Sequence, residues 1–561
     1  MAQKKLILDY VYDHEAARSD QIYLTQPLGG GQVADFTWGQ TLDQSRRMAA
    51  YLQGRGFEPG ARIAILSKNC AHFFMAELAI WMAGYTTVAI FPTETAETVR
   101  FVLEHSGASL LFVGKLDAWE QQVPGVPGGL PCVAFPLAPR TDFDTWDSIT
   151  ARTAPLTGRL ARRPDDLAML IYTSGSTGQP KGVMHSFERI TAASEGIVAD
   201  VQSRIGADAD NRVLSYLPLA HVFERAWVEC ASMVDGKTHV FFAESLDTFV
   251  QDLQRARPTI FFSVPRLWVK FQQGVHAKLP EHKLQRLLRI PLLGRLVRRK
   301  ILKGLGLDQC RLAAGGAAPM PADVLRWYRA LGLDLIEVYG MTEVCGASHS
   351  TLPHGQETGS VGLPYPGFAS RIDPANGEIE VHSGSLTLGY YLQPELTAEL
   401  MTADGWLRTG DKGEIKAAGV LHITGRVKDL FKTSKGKYVA PAPIEELLGQ
   451  HPDIEACCVS GAHFAQPFAL LLLSAAAMAR GAAQRLELQQ ALQAHLQTVN
   501  AQLEAHEKLD FLAVVTGTWS PENGLVTPTL KVKRPRIEEV YGPHYAAWQA
   551  QHQPVVWAQA D

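Results

Sequence analysis

Short apolar runs alternate with amphipathic helical patterns from about residue 36 onward, and this alternation limits the fold more than any other feature. Residues 36–56 read as an amphipathic helix with Leu42, Met48, Ala49 and Leu52 on its apolar face, stopped by Gly54 and Gly56. Residues 61–66 then read as a buried strand, 70–83 as a helix closed by Gly84, and 85–91 as a second strand. After Pro92, a helix over 99–105 leads to a strand at 110–113, while the Pro/Gly-rich 123–131 reads as a surface connector. Strand and helix alternating at this spacing imply parallel βαβ units, hence an α/β fold with helices packed on open sheets.

At 561 residues the chain is too long for one compact core, so two or more domains are expected. A formal charge of −4 argues against a nucleic-acid binder driven by bulk charge. Seven cysteines without metal-type spacing fit a reducing, cytoplasmic setting. The first ten residues meet charge early and lack the apolar core of a signal peptide. The most apolar run, 468–479, is too short to span a bilayer.

Further apolar strands are expected at 167–171, 213–216, 239–242, 260–263, 312–314 and 335–339. Ligands of open parallel sheets gather at the carboxyl ends of strands, so the turns that follow are where chemistry is sought. The turn after the first of these runs Tyr172-Thr173-Ser174-Gly175-Ser176-Thr177-Gly178-Gln179-Pro180-Lys181-Gly182. Glycines let backbone N–H groups close on an anion, hydroxyls donate, and Lys181 neutralises charge, as a polyphosphate requires. Pro180 before Lys181 excludes a Walker A loop, and the same composition also describes a Ser/Gly surface turn.

Four later turns each offer a different group. Residues 314–319 are small enough for a flat ring to lie against backbone, and 339–343 bring Tyr339, Gly340, Thr342 and Glu343. One carboxylate near phosphates suits Mg²⁺, which takes few protein ligands. Residues 406–411 end in Asp411, which can hold a ribose diol, and Gly425-Arg426 adds a guanidinium. Each turn alone has an ordinary structural explanation; their joint occurrence in this order does not.

Together these motifs, with 217–224 (Leu-Pro-Leu-Ala-His221-Val-Phe-Glu224), 264–271 and 527–534, make the sequence resemble the adenylate-forming superfamily. Within it, the chain is most similar to the long-chain fatty-acid CoA ligases, over nearly its whole length. The resemblance implies a large multi-sheet N-terminal adenylation domain, 1–425, and a small mobile α+β C-terminal domain, 426–561, with a hinge near Lys428. It implies an ATP-dependent ligase that joins a medium-to-long-chain fatty acid to coenzyme A through an acyl-adenylate, releasing AMP and pyrophosphate. In that family the loop Thr173, Ser174, Gly175, Ser176, Thr177, Gly178 and Lys181 grips phosphates, and Thr173 and Glu343 hold Mg²⁺, with Thr342 beside them. Gly316, Ala317, Tyr339 and Gly340 would surround adenine, and Asp411 and Arg426 the ribose. Lys531 would stand between carboxylate and α-phosphate, and Lys432, Lys435 and Gly436 would line the coenzyme A path. His221 reads as a wall or gate of the acyl site, and the seven cysteines as bystanders. Ser176 stands where threonine is more usual, which keeps the hydroxyl.

Trp227, Phe261, Phe262 and Trp268 read either as an acyl tunnel or as core. Leu488, Leu492, Leu496, Val499 and Leu503 form a helical stripe that reads as core packing. Residues 278–303 carry nine Lys/Arg against one acid, Glu281, interleaved with Leu and Ile. That pattern suits peripheral contact with the anionic inner face of a membrane, and equally a solvated helix face. Rival readings are an adenylate former with an aryl acid or a carrier-protein acceptor, and a non-catalytic membrane-associated binder of acyl chains or nucleotide. Acyl chain length and oligomeric state have no sequence signature.

Overall fold

The computed structural model describes residues 4–174, 179–207, 209–318, 320–352, 360–520, 523–527 and 531–558. The chain forms two compact units: residues 1–370 with 381–407, and residues 371–380 with 408–561.

The first unit is built on the parallel sheet that the βαβ alternation implies. Its strands run in the order Gly389–Tyr390, Pro180–Ser186, Leu167–Ser174, Thr86–Ile90, Arg62–Leu66, Ala108–Val113, Cys132–Ala134, Asp144–Thr145. From Leu167–Ser174 onward every pairing is parallel, and at the other end Leu167–Ser174 turns back on Pro180–Ser186 as an antiparallel hairpin. Strand Thr86–Ile90 is buried at every residue, as a strand covered on both faces must be. The helix Ala71–Met82 is likewise buried along its whole length, which requires packing on more than one side.

A second sheet orders Asn211–Ser215, Thr238–Phe242, Ile22–Gly29 and Gln32–Thr37. This corrects the sequence reading at one end: residue 36 lies in a strand, and the helix Trp38–Gly54 begins after it. The physical reason is the cap. Thr37 Oγ1 accepts the Gln40 amide at 3.2 Å while the Gln40 side chain accepts the Thr37 amide at 3.0 Å, so the helix cannot extend through Thr37. A third set pairs Ile260–Ser263, Leu312–Gly316 and Leu335–Tyr339 in parallel, then His349–Ser350 antiparallel.

In the second unit the sheet Ile454–Ser460, Phe468–Leu473, Leu512–Val514, Val555–Trp557 has a core on each face. The helix Ala482–Asn500 packs Leu488, Leu492, Leu496 and Val499 on one of them, and the apolar 468–473 run is a fully buried strand.

Candidate active site

In the first unit the hairpin sets Thr173 directly across from Lys181, so a hydroxyl and an ammonium stand side by side at its end. Gly175, Ser176, Thr177 and Gly178 lie outside the described residues, and Ser174 is described by its backbone alone. The short strand Gly389–Tyr390 adds to the hairpin with Tyr390 opposite Val183. Its ring lies 5.0 Å from the Lys181 ammonium, and its hydroxyl donates to Glu343 Oε1 at 2.8 Å. Burial, and then the Glu343 carboxylate, raise the Tyr390 phenol, which stays protonated and keeps donating.

The turn Thr342–Val344 that carries Glu343 is tied to the same segments by its backbone. His185 Nε2 donates to the Thr342 carbonyl at 2.8 Å, and the Thr387 amide donates to the Glu343 carbonyl at 2.7 Å. Burial pushes His185 down to about 4, so the ring is neutral and has one N–H to give. Thr342 and Glu343 are themselves buried. Among the described residues no three His, Cys, Asp or Glu side chains gather for a metal. A single buried carboxylate fits Mg²⁺ held mainly by phosphate and water.

Gly316 and Val338 are opposite one another in adjacent parallel strands. A Cβ on Gly316 would stand 2.8 Å from Val338 Cγ2 and 3.2 Å from its carbonyl oxygen, so a larger residue would force the strands apart. Ala317 follows in the left-handed region (φ 68°) and is exposed, and Tyr339 is half-buried at the neighbouring strand end. A Cβ on Gly340 would come within 2.6 Å of the Gly346 backbone. Small residues and a tyrosine thus lie together at the carboxyl ends of two parallel strands.

His221 caps the turn Val222–Glu224, its Nδ1 accepting the Phe223 amide at 3.2 Å. With Nδ1 accepting, the neutral ring carries its proton on Nε2. Glu224, three residues on, is buried, and its Oε1 accepts from Ser215 Oγ at 2.7 Å, the Tyr216 amide at 3.0 Å and Asn69 Nδ2 at 3.2 Å. Burial pushes Glu224 up to about 8, with the Ser215 and Tyr216 hydrogen bonds opposing. Arg225 beside it is fully buried between Glu77 and Glu229.

The four aromatics do not form one wall. Phe262 meets Trp227 at 4.8 Å, whereas its strand neighbour Phe261 points to the opposite face and meets Trp268 at 5.2 Å. Trp227 and Phe262 line a small, mostly apolar cavity with Ile197, Val201, Val213 and Ile260.

In the second unit Asp411 is opposite Arg426 across antiparallel strands, and Arg426 Nε donates to Asp411 Oδ1 at 2.8 Å. Asp411 is buried, while the Arg426 side chain is 57 % exposed. Lys531 lies close enough to both to feel their charges. Burial of its ammonium and then Arg426 lower its pKa, and Asp411 opposes them. The residue as a whole is exposed. Its backbone pairs with Thr527, whose amide donates to the Lys531 carbonyl at 2.8 Å. Lys432 lies in the hairpin Phe431–Lys432/Tyr438–Val439, its ammonium 5.6 Å from the Tyr438 ring. Lys435 is exposed at the hairpin turn, and Gly436 there has φ 77°, which glycine adopts without strain.

Sequence reasoning did not find Tyr390, His185, Thr387, Arg225 or Glu77, and it named Glu224 only as part of a motif. Charged residues within the otherwise apolar stretch after Pro218 were the one signal available, in Glu224 and Arg225.

Residues 12–391 match the AMP-binding enzyme family, and residues 428–545 match the AMP-binding enzyme C-terminal domain. The long-chain-fatty-acid–CoA ligase FadD15 of Mycobacterium bovis is 31% identical over 579 aligned residues that cover 95% of each chain. Human long-chain-fatty-acid–CoA ligase 1 is 27% identical, covering 90% of this chain and 81% of its own. Among solved structures, the A domain of a carboxylic acid reductase from Segniliparus rugosus, in complex with AMP and a co-purified carboxylic acid, aligns with a TM-score of 0.79 at 21% identity. That alignment covers 98% of this chain and 95% of that one. The anthranilate CoA ligase AuaEII in complex with anthranoyl-AMP aligns at 0.80 and 20% identity, covering 97% and 99%. These two share the fold.

Proposed function

The chain belongs to the AMP-binding enzyme family, and from that premise we propose that it ligates a medium-to-long-chain fatty acid to coenzyme A at the expense of ATP. A carboxylate oxygen attacks the α-phosphorus, the bond to the β-phosphate breaks, and pyrophosphate leaves. The coenzyme A sulfur then attacks the acyl carbonyl, its proton passes to solvent, and AMP departs with the bonding electrons of the acyl–oxygen bond.

The observation that carries this reading is the Tyr390 bridge, which holds Glu343 by its hydroxyl and faces Lys181 with its ring. A carboxylate and a cation fixed on one side chain form the setting that a metal-bound polyphosphate needs. Thr173 and Glu343 would hold Mg²⁺, which neutralises the charge of the leaving pyrophosphate. Gly316, Ala317, Tyr339 and Gly340 receive the adenine, and the Asp411–Arg426 pair the ribose. Lys531 reduces the repulsion between carboxylate and α-phosphate. His221, as an Nε2–H donor, orients or walls off the acyl carboxylate. Lys432, Lys435 and Gly436 serve coenzyme A.

The test is acid-dependent pyrophosphate release with ATP and Mg²⁺ across a panel of chain lengths, followed by mass detection of the thioester with coenzyme A or a carrier protein as acceptor. Lys531→Ala is expected to slow adenylation by about 10²-fold or more. Thioester formation at the wild-type rate in that variant would overturn the mechanism.

Peripheral attachment to the inner face of the membrane through residues 278–303, with the protein otherwise cytoplasmic, belongs to the same reading. Among the described residues no helix is long and apolar enough to cross a membrane. Free fatty acid partitions into bilayers, so a ligase that touches one meets its substrate where it is concentrated.

A further inference from the structure

The helices Glu281–Leu288 and Pro291–Gly304 both pack apolar side chains on the core, and the second also exposes others to solvent. In the second, Gly294 is buried and Val297 and Ile301 pack on the core, together with Leu284 and Leu288 of the first. Leu292, Leu293 and Leu296 instead stand 77 %, 40 % and 66 % exposed, and Ile290, at the turn between the helices, 50 %. At about 100° per residue, Leu292, Leu296 and Lys303 fall within about 40° of one another on the outward face, with Arg299 and Lys300 flanking them. Single exposed leucines are ordinary, but a cluster of four large apolar residues about one turn is not.

The cluster is ringed by charge of one sign. Lys283, Arg286, Arg289, Arg295, Arg299, Lys300 and Lys303 are exposed, and none has an ion-pair partner among the described residues. Arg298 is the exception within the basic run: it is half-buried, its Nε donating to the Ala330 carbonyl at 2.9 Å.

We infer that this turn is a membrane wedge. Ile290, Leu292, Leu293 and Leu296 enter the boundary between headgroups and acyl chains of an anionic bilayer, and the surrounding cations engage lipid phosphates. The inference rests on the reading that residues 278–303 touch a membrane, and adds that attachment is by apolar insertion as well as charge. Charge complementarity selects this occupant. A second copy meeting the same face about a twofold axis would bring the cations against one another, and a nucleic acid would leave the leucines in water.

The test is co-sedimentation of the full chain with phosphatidylcholine vesicles, with and without phosphatidylglycerol, at about 0.1 M and about 0.5 M salt. Wild type is expected to bind the anionic vesicles and to keep a salt-resistant fraction. Leu292→Ser with Leu296→Ser should lower partitioning by about tenfold and abolish the salt-resistant fraction. Arg295→Gln, Arg299→Gln and Lys300→Gln together should abolish the preference for anionic lipid. Unchanged thermal unfolding, and unchanged turnover of a short soluble acid, would show that both variants are folded. If the serine variant binds as wild type does at both salt concentrations, the wedge is wrong while charged contact stands. If wild type binds no vesicle, both ideas fall. If the serine changes instead dissociate a dimer in solution, the face belongs to a second copy and the wedge is overturned.

Discussion

Tyr390 joins Glu343 and Lys181 with one side chain, and its hydroxyl can be removed without touching its ring. Tyr390→Phe is therefore expected to raise the Mg²⁺ concentration for half-maximal adenylation about tenfold, as loss of a hydrogen bond to a charged group implies. Turnover at saturating Mg²⁺ should change little, and a metal titration of initial rates checks this; an unchanged titration curve would deny the hydroxyl a part in holding Glu343. Arg426 makes the opposite kind of contribution. Its guanidinium is more than half exposed, so Arg426→Ala should cost less than about 1 kcal/mol in stability while raising the KM for ATP severalfold. Denaturant unfolding and steady-state kinetics on the same preparation separate the two effects. Thr173, Lys181, Glu343 and Asp411 could be named from the sequence because each sits in a locally recognisable turn, whereas Lys531, one of several basic residues in 531–534, could be named only through the family resemblance. Tyr390 could not: Gly389-Tyr390-Tyr391 has no feature that distinguishes it from core aromatics, and its role comes from pairing with residues 180–186.

The turn Val222–Glu224 shows how one element is held in place from beneath. Glu224 accepts from two residues at the end of strand Asn211–Ser215 and from Asn69, so the short helix carrying His221 is anchored to two separate segments. Its folded pKa, about 8, lies above the unfolded value, so the unfolded chain ionises first as pH rises. Its contribution to stability is complete below pH of about 4.5 and is lost between there and about 8. Glu224→Gln, which keeps an acceptor and removes the titration, is expected to flatten the fall of Tm across that window, as thermal unfolding at a series of pH values would show. A slope identical to wild type would place the titration elsewhere. The helix Trp38–Gly54 teaches a related lesson: its apolar stripe was legible, whereas its start depended on Thr37 being committed to a strand of a different sheet.

Over the whole molecule, four of the thiols are buried and three are half-buried. All seven cysteines are free, and burial raises the pKa of every one, to about 11 for Cys132 and about 12 for Cys310, Cys345 and Cys458. Native protein near neutral pH should release fewer than about one equivalent of thiol rapidly to Ellman's reagent, against seven in denaturant, with ligase activity kept. A fast thiol whose modification stopped turnover would contradict the reading of the cysteines as bystanders. The sequence by itself determined the alternation of strands and helices, the order of the turns and the residue types in them, because periodicity and turn chemistry act over a few residues. Only the tertiary structure decided that Tyr390 meets Glu343 and Lys181, that Phe261 and Phe262 serve different cores, and that four apolar residues about Leu292 point outward. Strand register and burial are set by contacts between segments remote in the chain, and no local pattern encodes them.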